Sequence, residues 1–441
     1  MGPVHDIPTG CMSISAVKGF RDALPEAARL LARVERTALE ILERYGFAEL
    51  RLPIVERTEL FARAIGETTD IVEKEMYTFP DRDGTLLSLR PEGTASLVRA
   101  YVEHHLDQRD SVGRFSYVGP MFRHERPQKG RHRQFYQVGA ELVGREDPLA
   151  DAELLLALWD VLDAVGVRGA SLLLNSLGDA QCRPAYREAL RAFGEAHRAE
   201  LCENCKRRLE KNPLRILDCK EPGCRAATTD APHLVDHLCA PCATHFARVR
   251  ALLDAEGVSY ELDWRLVRGL DYYVRTTFEV LGPGLGAQSA IGAGGRYDGL
   301  VAQLGGPQVS GIGFAFGVDR LVLALQASAP GIDEEIAAEM APELFIAPLG
   351  AAAEAAALTV ARRLRRAGLR VELDGGRSLK SLMRRADKLK AKQVMILGEE
   401  ELAQRRATLR DMEAKQDRKL AVDIDLTGDE LLAAVGARRS E

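Results

Sequence analysis

A chain of 441 residues exceeds what one hydrophobic core ordinarily supports, so two or three domains are expected. With 46% hydrophobic and 28% charged residues it has the composition of an ordinary globular protein, and no apolar run approaches the roughly 20 residues that span a bilayer, which excludes a helical membrane protein. The net charge of −5 does not exclude an anionic partner, because charge is unevenly spread: from residue 362 to 419 there are 18 Lys and Arg against 9 Asp and Glu.

The first dozen residues hold Pro3, His5, Asp6 and Pro8 without the apolar segment of a secretory signal, and Met12 offers a second start. Residues 24–46 place Leu24, Ala28, Leu31, Val34, Ala38, Ile41 and Leu42 at helical spacing between Pro25 and Gly46, which predicts an amphipathic helix. A strand is expected over 47–55, with Pro53 at an edge or bend. Further strands over 85–90, 113–123 and 133–143, with a helix over 150–164, predict an antiparallel sheet with packed helices. Strand signals return at 258–266, 273–281, 287–292 and 311–316, before a helix over 317–326. The α+β core is therefore read as split, 14–178 and 258–327, by a mainly helical insertion over 179–257. An Ala, Pro, Gly and acid-rich stretch over 328–341 reads as a linker. Beyond it, strand and helix alternate (344–347, 351–367, 370–373, 379–390, 393–397), which predicts a separate α/β domain over 342–441 with a largely parallel sheet.

The insertion carries most of the eight cysteines. Without an export signal they favour a reducing compartment, so the cytoplasm is expected, and thiol or metal chemistry over disulfides. Cys202 and Cys205, with Cys239 and Cys242, have the C-x-x-C spacing of a structural zinc site, with Cys219 and Cys224 as spare or competing ligands; reduced buried thiols are the alternative. Cys11 and Cys182 stand outside that set.

Five segments carry chemistry: Arg90-Pro-Glu-Gly-Thr94, Phe122-Arg-His-Glu125, Arg268-Gly-Leu-Asp-Tyr-Tyr273, Gly294-Gly-Arg-Tyr-Asp298 and the glycine-rich run from Gly311 to Arg320. Glycines admit close backbone approach, arginines fork onto phosphates and tyrosines wall a small polar ring. Taken singly, such an arginine is most often half of a surface ion pair and such a glycine a turn. Gln137 and Glu141 lie four apart on an expected strand and so share a face.

Together these segments resemble the histidyl-tRNA synthetases of bacterial type, a family of class II aminoacyl-tRNA synthetases. The resemblance covers almost the whole chain. It implies activation of L-histidine by Mg2+-ATP to histidyl-adenylate and diphosphate, then transfer to the 3' end of tRNA(His), by a homodimer whose interface includes the helix and strand of 24–55. The 342–441 domain would bind the anticodon. By the same resemblance Arg123 and Arg268 face the α-phosphate, Arg268 also the substrate carboxylate, Arg320 the γ-phosphate and Arg131 the outer phosphates, while Phe135 stacks on adenine. Glu92, Gly93, Thr94 and Gln137 surround the ammonium, Glu141 accepts from the imidazole, Tyr272 and Tyr273 supply a wall and hydroxyl, and Gln128 lies where the tRNA acceptor end is read. Two other readings stay open: the non-catalytic regulatory subunit of ATP phosphoribosyltransferase, which shares the core, and a synthetase for threonine, proline or glycine.

Overall fold

The computed structural model describes residues 14–66, 69–267, 270, 272–286, 289–421 and 426–436. Cys11 and Arg268 lie outside the described residues. The chain divides after Ile332 into two compact units.

The first helix is Pro25–Arg44, opened by a proline at a position whose N–H would have no helical partner, and it buries Leu30, Val34, Ala38 and Leu42 at four-residue spacing. The strand expected over 47–55 is interrupted. Ala48–Glu49 pairs in parallel with Gly113–Phe122, whereas Val55–Arg57 joins another sheet, because Pro53 cannot donate to a ladder. That other sheet has three antiparallel strands, Val55–Arg57, Leu86–Leu89 and Tyr77–Pro80.

The principal sheet has eight strands in the order Ala48–Glu49, Gly113–Phe122, Gln134–Val143, Gly311–Gly317, Ala290–Arg296, Val274–Leu281, Ser171–Ser176 and Tyr260–Leu262. Only the outermost pair at each edge is parallel. The strand expected over 258–266 shrinks to three residues. It can pair in parallel with Ser171–Ser176 only because the intervening chain crosses over, and the last helix of that crossover, Ala240–Ala255, packs on helix Pro148–Val165.

The junction is anchored by a buried polar cluster. Asp151 accepts from His245 Nε2 at 2.8 Å, Thr276 Oγ1 at 2.5 Å and Arg296 Nε at 3.0 Å, with no exposed surface on Asp151 or Arg296. Burial works to raise the Asp151 carboxyl's pKa, but His245 and Arg296 override it and hold it below its ordinary value. Arg296 thus ties the insertion and a core helix to the sheet, a structural role for the Gly294–Asp298 segment.

In the second unit, Val371–Leu373, Leu344–Leu349 and Gln393–Gly398 form the expected parallel sheet, buried on one face by residues such as Val360 and Leu364 and on the other by Leu382 and Ala386. The sheet continues through an antiparallel hairpin, Arg406–Asp411 and Asp417–Ala421, so it is mixed rather than largely parallel. The stretch read as a linker contains a helix, Ile332–Met340, with Asp333, Glu334 and Glu335 in its first turn, where acidic side chains favour a helix N-terminus.

Candidate active site

The four central strands of the large sheet form the floor of a cavity of about 270 Å³. Alternation on Gln134–Val143 aims Phe135 and Gln137 into it, while Gly292, Ala293, Ala315 and Gly317 on the neighbouring strands leave the space open. Two further glycines make room for an aromatic wall. A Cβ at Gly93 or Gly139 would stand 2.3 or 2.4 Å from the Tyr117 ring, so only glycine lets that ring lie flat there.

One end of the cavity is anionic. Helix Thr94–Glu103 starts beside Glu92, whose carboxylate accepts from the Thr94 and Ala95 amides at 2.7 and 2.9 Å, satisfying donors that the helix leaves orphaned. Behind Thr94 sits Glu141, without exposed surface, accepting from Thr94 Oγ1 at 2.6 Å and from Tyr297 OH at 2.7 Å. Burial pushes its carboxyl up to about 8 and also raises that of Glu92. Glu141 fits because its cross-strand partner is Gly313, where a Cβ would fall 1.5 Å from the carboxylate.

Polar groups aimed into this end are incompletely used. The Gln137 Oε1 and Tyr272 hydroxyl are buried without a hydrogen-bond partner. Such atoms are costly to bury unless something else supplies the missing bond. Tyr272 and Tyr273 lie with ring centroids 4.6 Å apart, and Tyr272 meets Tyr297 edge-on at 6.0 Å.

The other end is cationic. Arg123 donates to the Pro91 carbonyl at 2.8 Å, and its guanidinium lies 5.4 Å from the Phe135 ring centre. Glu125 orients Arg131 at 2.9 Å and stands 3.8 Å from Arg123. Arg131 closes a tight turn with Gln128, their backbones bonding in both directions, and Gly130 between them takes φ +72. Arg320, in the first turn of helix Val318–Ser328, bonds the Ala290 carbonyl through Nε. Burial lowers the Arg320 pKa and the neighbouring Arg131 adds to this, the sign of cations gathered at one place.

Glu92, Thr94, Gln137, Tyr272, Tyr273, Arg123, Arg131, Phe135 and Arg320 therefore all line one cavity. Gly93 and Glu141 do not. Gly93 makes space for Tyr117, and Glu141 lies one layer behind the wall, because its oxygens are taken by Thr94 and Tyr297 rather than held open for an imidazole. Tyr117, Glu125 and Tyr297 were not anticipated. Tyr297 belongs to the Gly294–Asp298 segment, but its bond to Glu141 spans 156 residues and has no local signal.

The expected metal set is corrected. Cys202, Cys205, Cys239 and Cys242 do not converge. Cys202 and Cys205 group with Cys219 and Cys224, while Cys239 and Cys242 group with Cys182 and Asp179. Spacing alone cannot decide which C-x-x-C pair meets which partner, since helices separate the two pairs.

Residues 19–321 match the family model described as histidyl-tRNA synthetase, and 343–433 match the anticodon binding domain. The chain is 51% identical to a histidine–tRNA ligase of Syntrophotalea carbinolica over 93% of its own length and 97% of the relative's. It is 54% identical to one of Trichlorobacter lovleyi over 91% and 94%. The apo histidyl-tRNA synthetase of S. aureus is similar in structure, with a TM-score of 0.78 and 34% identity, over 96% of this chain and 99% of the other.

Proposed function

This chain belongs to the histidyl-tRNA synthetase family, and from that premise we infer that it activates histidine with ATP in the cavity of the first unit and transfers it to the 3' end of tRNA(His). The observation that carries this reading is the polarity of the cavity, with the buried Glu92 at one end, backed by Glu141, and three arginines at the other. A histidine whose ammonium faces Glu92 and Gln137 directs its carboxylate toward the arginine end, where ATP phosphates would lie. Arg123 and Arg320 would hold the phosphates in line for attack and neutralise the charge that develops on the α-phosphate, with Arg131 on the outer phosphates and Phe135 against adenine. Arg268 is assigned to the α-phosphate and substrate carboxylate on the strength of its motif. Magnesium, arriving with ATP, would neutralise outer phosphate oxygens.

Glu141 enters this reading as a positioning residue. It bonds the Thr94 and Tyr297 hydroxyls and so fixes the polar groups of the tyrosine-lined end, where the imidazole would lie. A polar site of this kind rejects analogues that leave its groups unpaired far better than an apolar one does. A homodimer is part of the same reading, supported by one face of the three-stranded sheet, where Val55 and Phe79 are exposed beside Leu87 and Leu89, an apolar surface suited to a second subunit. The cytoplasm, where tRNA is charged, is the proposed location; among the described residues no helix is long and apolar enough to cross a membrane.

The test is exchange of labelled diphosphate into ATP by the purified protein. Exchange with histidine, and not with threonine, proline or glycine, is expected. No exchange with any of them by a folded protein would favour the regulatory-subunit reading, which the match of the second unit to an anticodon binding domain already weighs against.

A further inference from the structure

The insertion brings seven cysteines and one aspartate into two separate groups of four, each with its ligand atoms within 4.8 Å of one another. We propose that the insertion holds two structural zinc ions, one on Cys202, Cys205, Cys219 and Cys224, the other on Asp179, Cys182, Cys239 and Cys242. Four ligands on one Zn2+ at about 2.3 Å per sulfur leave sulfurs about 3.8 Å apart. Cys202 and Cys219 Sγ lie 4.0 Å apart, too far for a disulfide and close to that edge. None of the seven described cysteines is in a disulfide.

The two groups are built alike. In each, a C-x-x-C pair opens a helix, with Cys202 at the N-cap of Glu203–Lys211 and Cys239 at the N-cap of Ala240–Ala255. In each, the backbone amide of that first cysteine donates to a sulfur of the second pair at 3.1 Å, Cys202 N to Cys224 Sγ and Cys239 N to Cys182 Sγ. Helix N-termini and N–H donors of this kind stabilise thiolates, the form that binds metal. In the second group Cys242 Sγ stands 3.1 Å from Asp179 Oδ2, and Asp179 is itself held by the Gln181 and Cys182 amides and by Arg275 at 3.9 Å. A hard carboxylate among three soft thiolates still suits zinc, which accepts both. An iron–sulfur cluster interposes several irons and sulfides and needs its thiolates farther apart than a single ion does.

The groups would do different work. The first closes the interior of the insertion, where Cys205 and Cys224 are buried among apolar side chains. The second joins the two ends of the insertion and lies against the tyrosine segment. Arg275 exchanges backbone bonds of 2.7 Å with Leu177 and Gly178, and Arg183 donates to the Tyr273 carbonyl.

The full-length protein, purified without chelator and dialysed against metal-free buffer, is analysed for metals by inductively coupled plasma mass spectrometry. Two zinc per chain is expected. One or none, or iron in place of zinc, overturns the proposal. The wild-type count stands whether or not a variant folds. Cys205→Ser and Cys242→Ser then assign the sites, each expected to lose one equivalent and keep the other. In parallel, cobalt(II) reconstitution of the wild-type chain is expected to give two spectroscopically distinct tetrahedral centres. A double mutant of Cys205→Ser and Cys242→Ser that still keeps one equivalent would sink the assignment.

Discussion

Glu141 is a buried carboxyl that joins the pH response of the protein to the proposed recognition of histidine. Its pKa of about 8, against an ordinary 4.5, means that between those values the folded protein retains a proton that the unfolded chain has released. Its contribution to stability is therefore undiminished below about pH 4.5 and is lost as pH rises through 8, a change on the order of a few kcal/mol. Thermal unfolding of the ligand-free protein is expected to move to lower temperature across this window, and Glu141→Gln is expected to flatten that dependence while weakening histidine recognition. A wild-type melting profile that rises over the same range would refute the assignment. Gln137 separates binding from stability in a different way. Its Oε1 is buried without a partner, so removing it forfeits no hydrogen bond within the free protein. Gln137→Met, similar in size, is expected to leave the melting temperature within about two degrees of wild type, while raising KM for histidine by roughly tenfold, the equivalent of about 1.4 kcal/mol.

At the scale of elements, periodicity was enough to locate the long helix Pro25–Arg44, and local strand signals located the central strands Gly113–Phe122, Gln134–Val143 and Gly311–Gly317. The helix has one buried face, which its apolar spacing records, whereas the strands were legible as runs between turns and are buried on both faces over much of their length. The hairpin of Arg406–Asp411 and Asp417–Ala421 is rich in charge and was illegible for the converse reason. The candidate site was readable where a motif names its own residue, as with Arg123, Arg320 and Tyr273. It was not readable where function depends on register: the pairing of Glu141 with Gly313, or of each cysteine pair with its partner, exists only once the strands and helices are assembled. Register makes a sharp prediction. A Cβ at Gly313 would overlap the Glu141 carboxylate at 1.5 Å and stand 2.9 Å from the Ala140 carbonyl, whereas at Gly299 it would meet nothing within 4 Å. Gly313→Ala is expected to cost about 1–3 kcal/mol in denaturant unfolding, by overpacking, and to abolish most diphosphate exchange; Gly299→Ala should be near neutral in both.

At the scale of the whole molecule, the second unit matches an anticodon binding domain, and the basic excess of the chain, 18 Lys and Arg against 9 Asp and Glu, lies within its residues 362–419. In the second unit, helix Leu379–Lys388 presents Lys380, Arg384 and Lys388, all exposed and spaced four apart, so they form one basic stripe along its surface. Arg385, off that stripe, is instead engaged by Glu372 at 3.0 Å and Asp374 at 2.8 Å. A stripe of this sort suits the phosphates of a folded RNA, which position the molecule without reading its sequence. Reversing all three charges, as Lys380→Glu, Arg384→Glu and Lys388→Glu, leaves the residues of the cavity untouched, so histidine-dependent diphosphate exchange should keep its wild-type rate. Aminoacylation should instead show a KM for tRNA raised about tenfold or more. The slope of log affinity against log salt should also become shallower, by about 0.7–0.9 for each phosphate that is no longer neutralised. If KM for tRNA and the salt slope both stay at wild-type values, the stripe is a solvated helix face and tRNA binds elsewhere on the protein; if exchange falls in step with aminoacylation, the substitutions reach the chemistry as well as the tRNA.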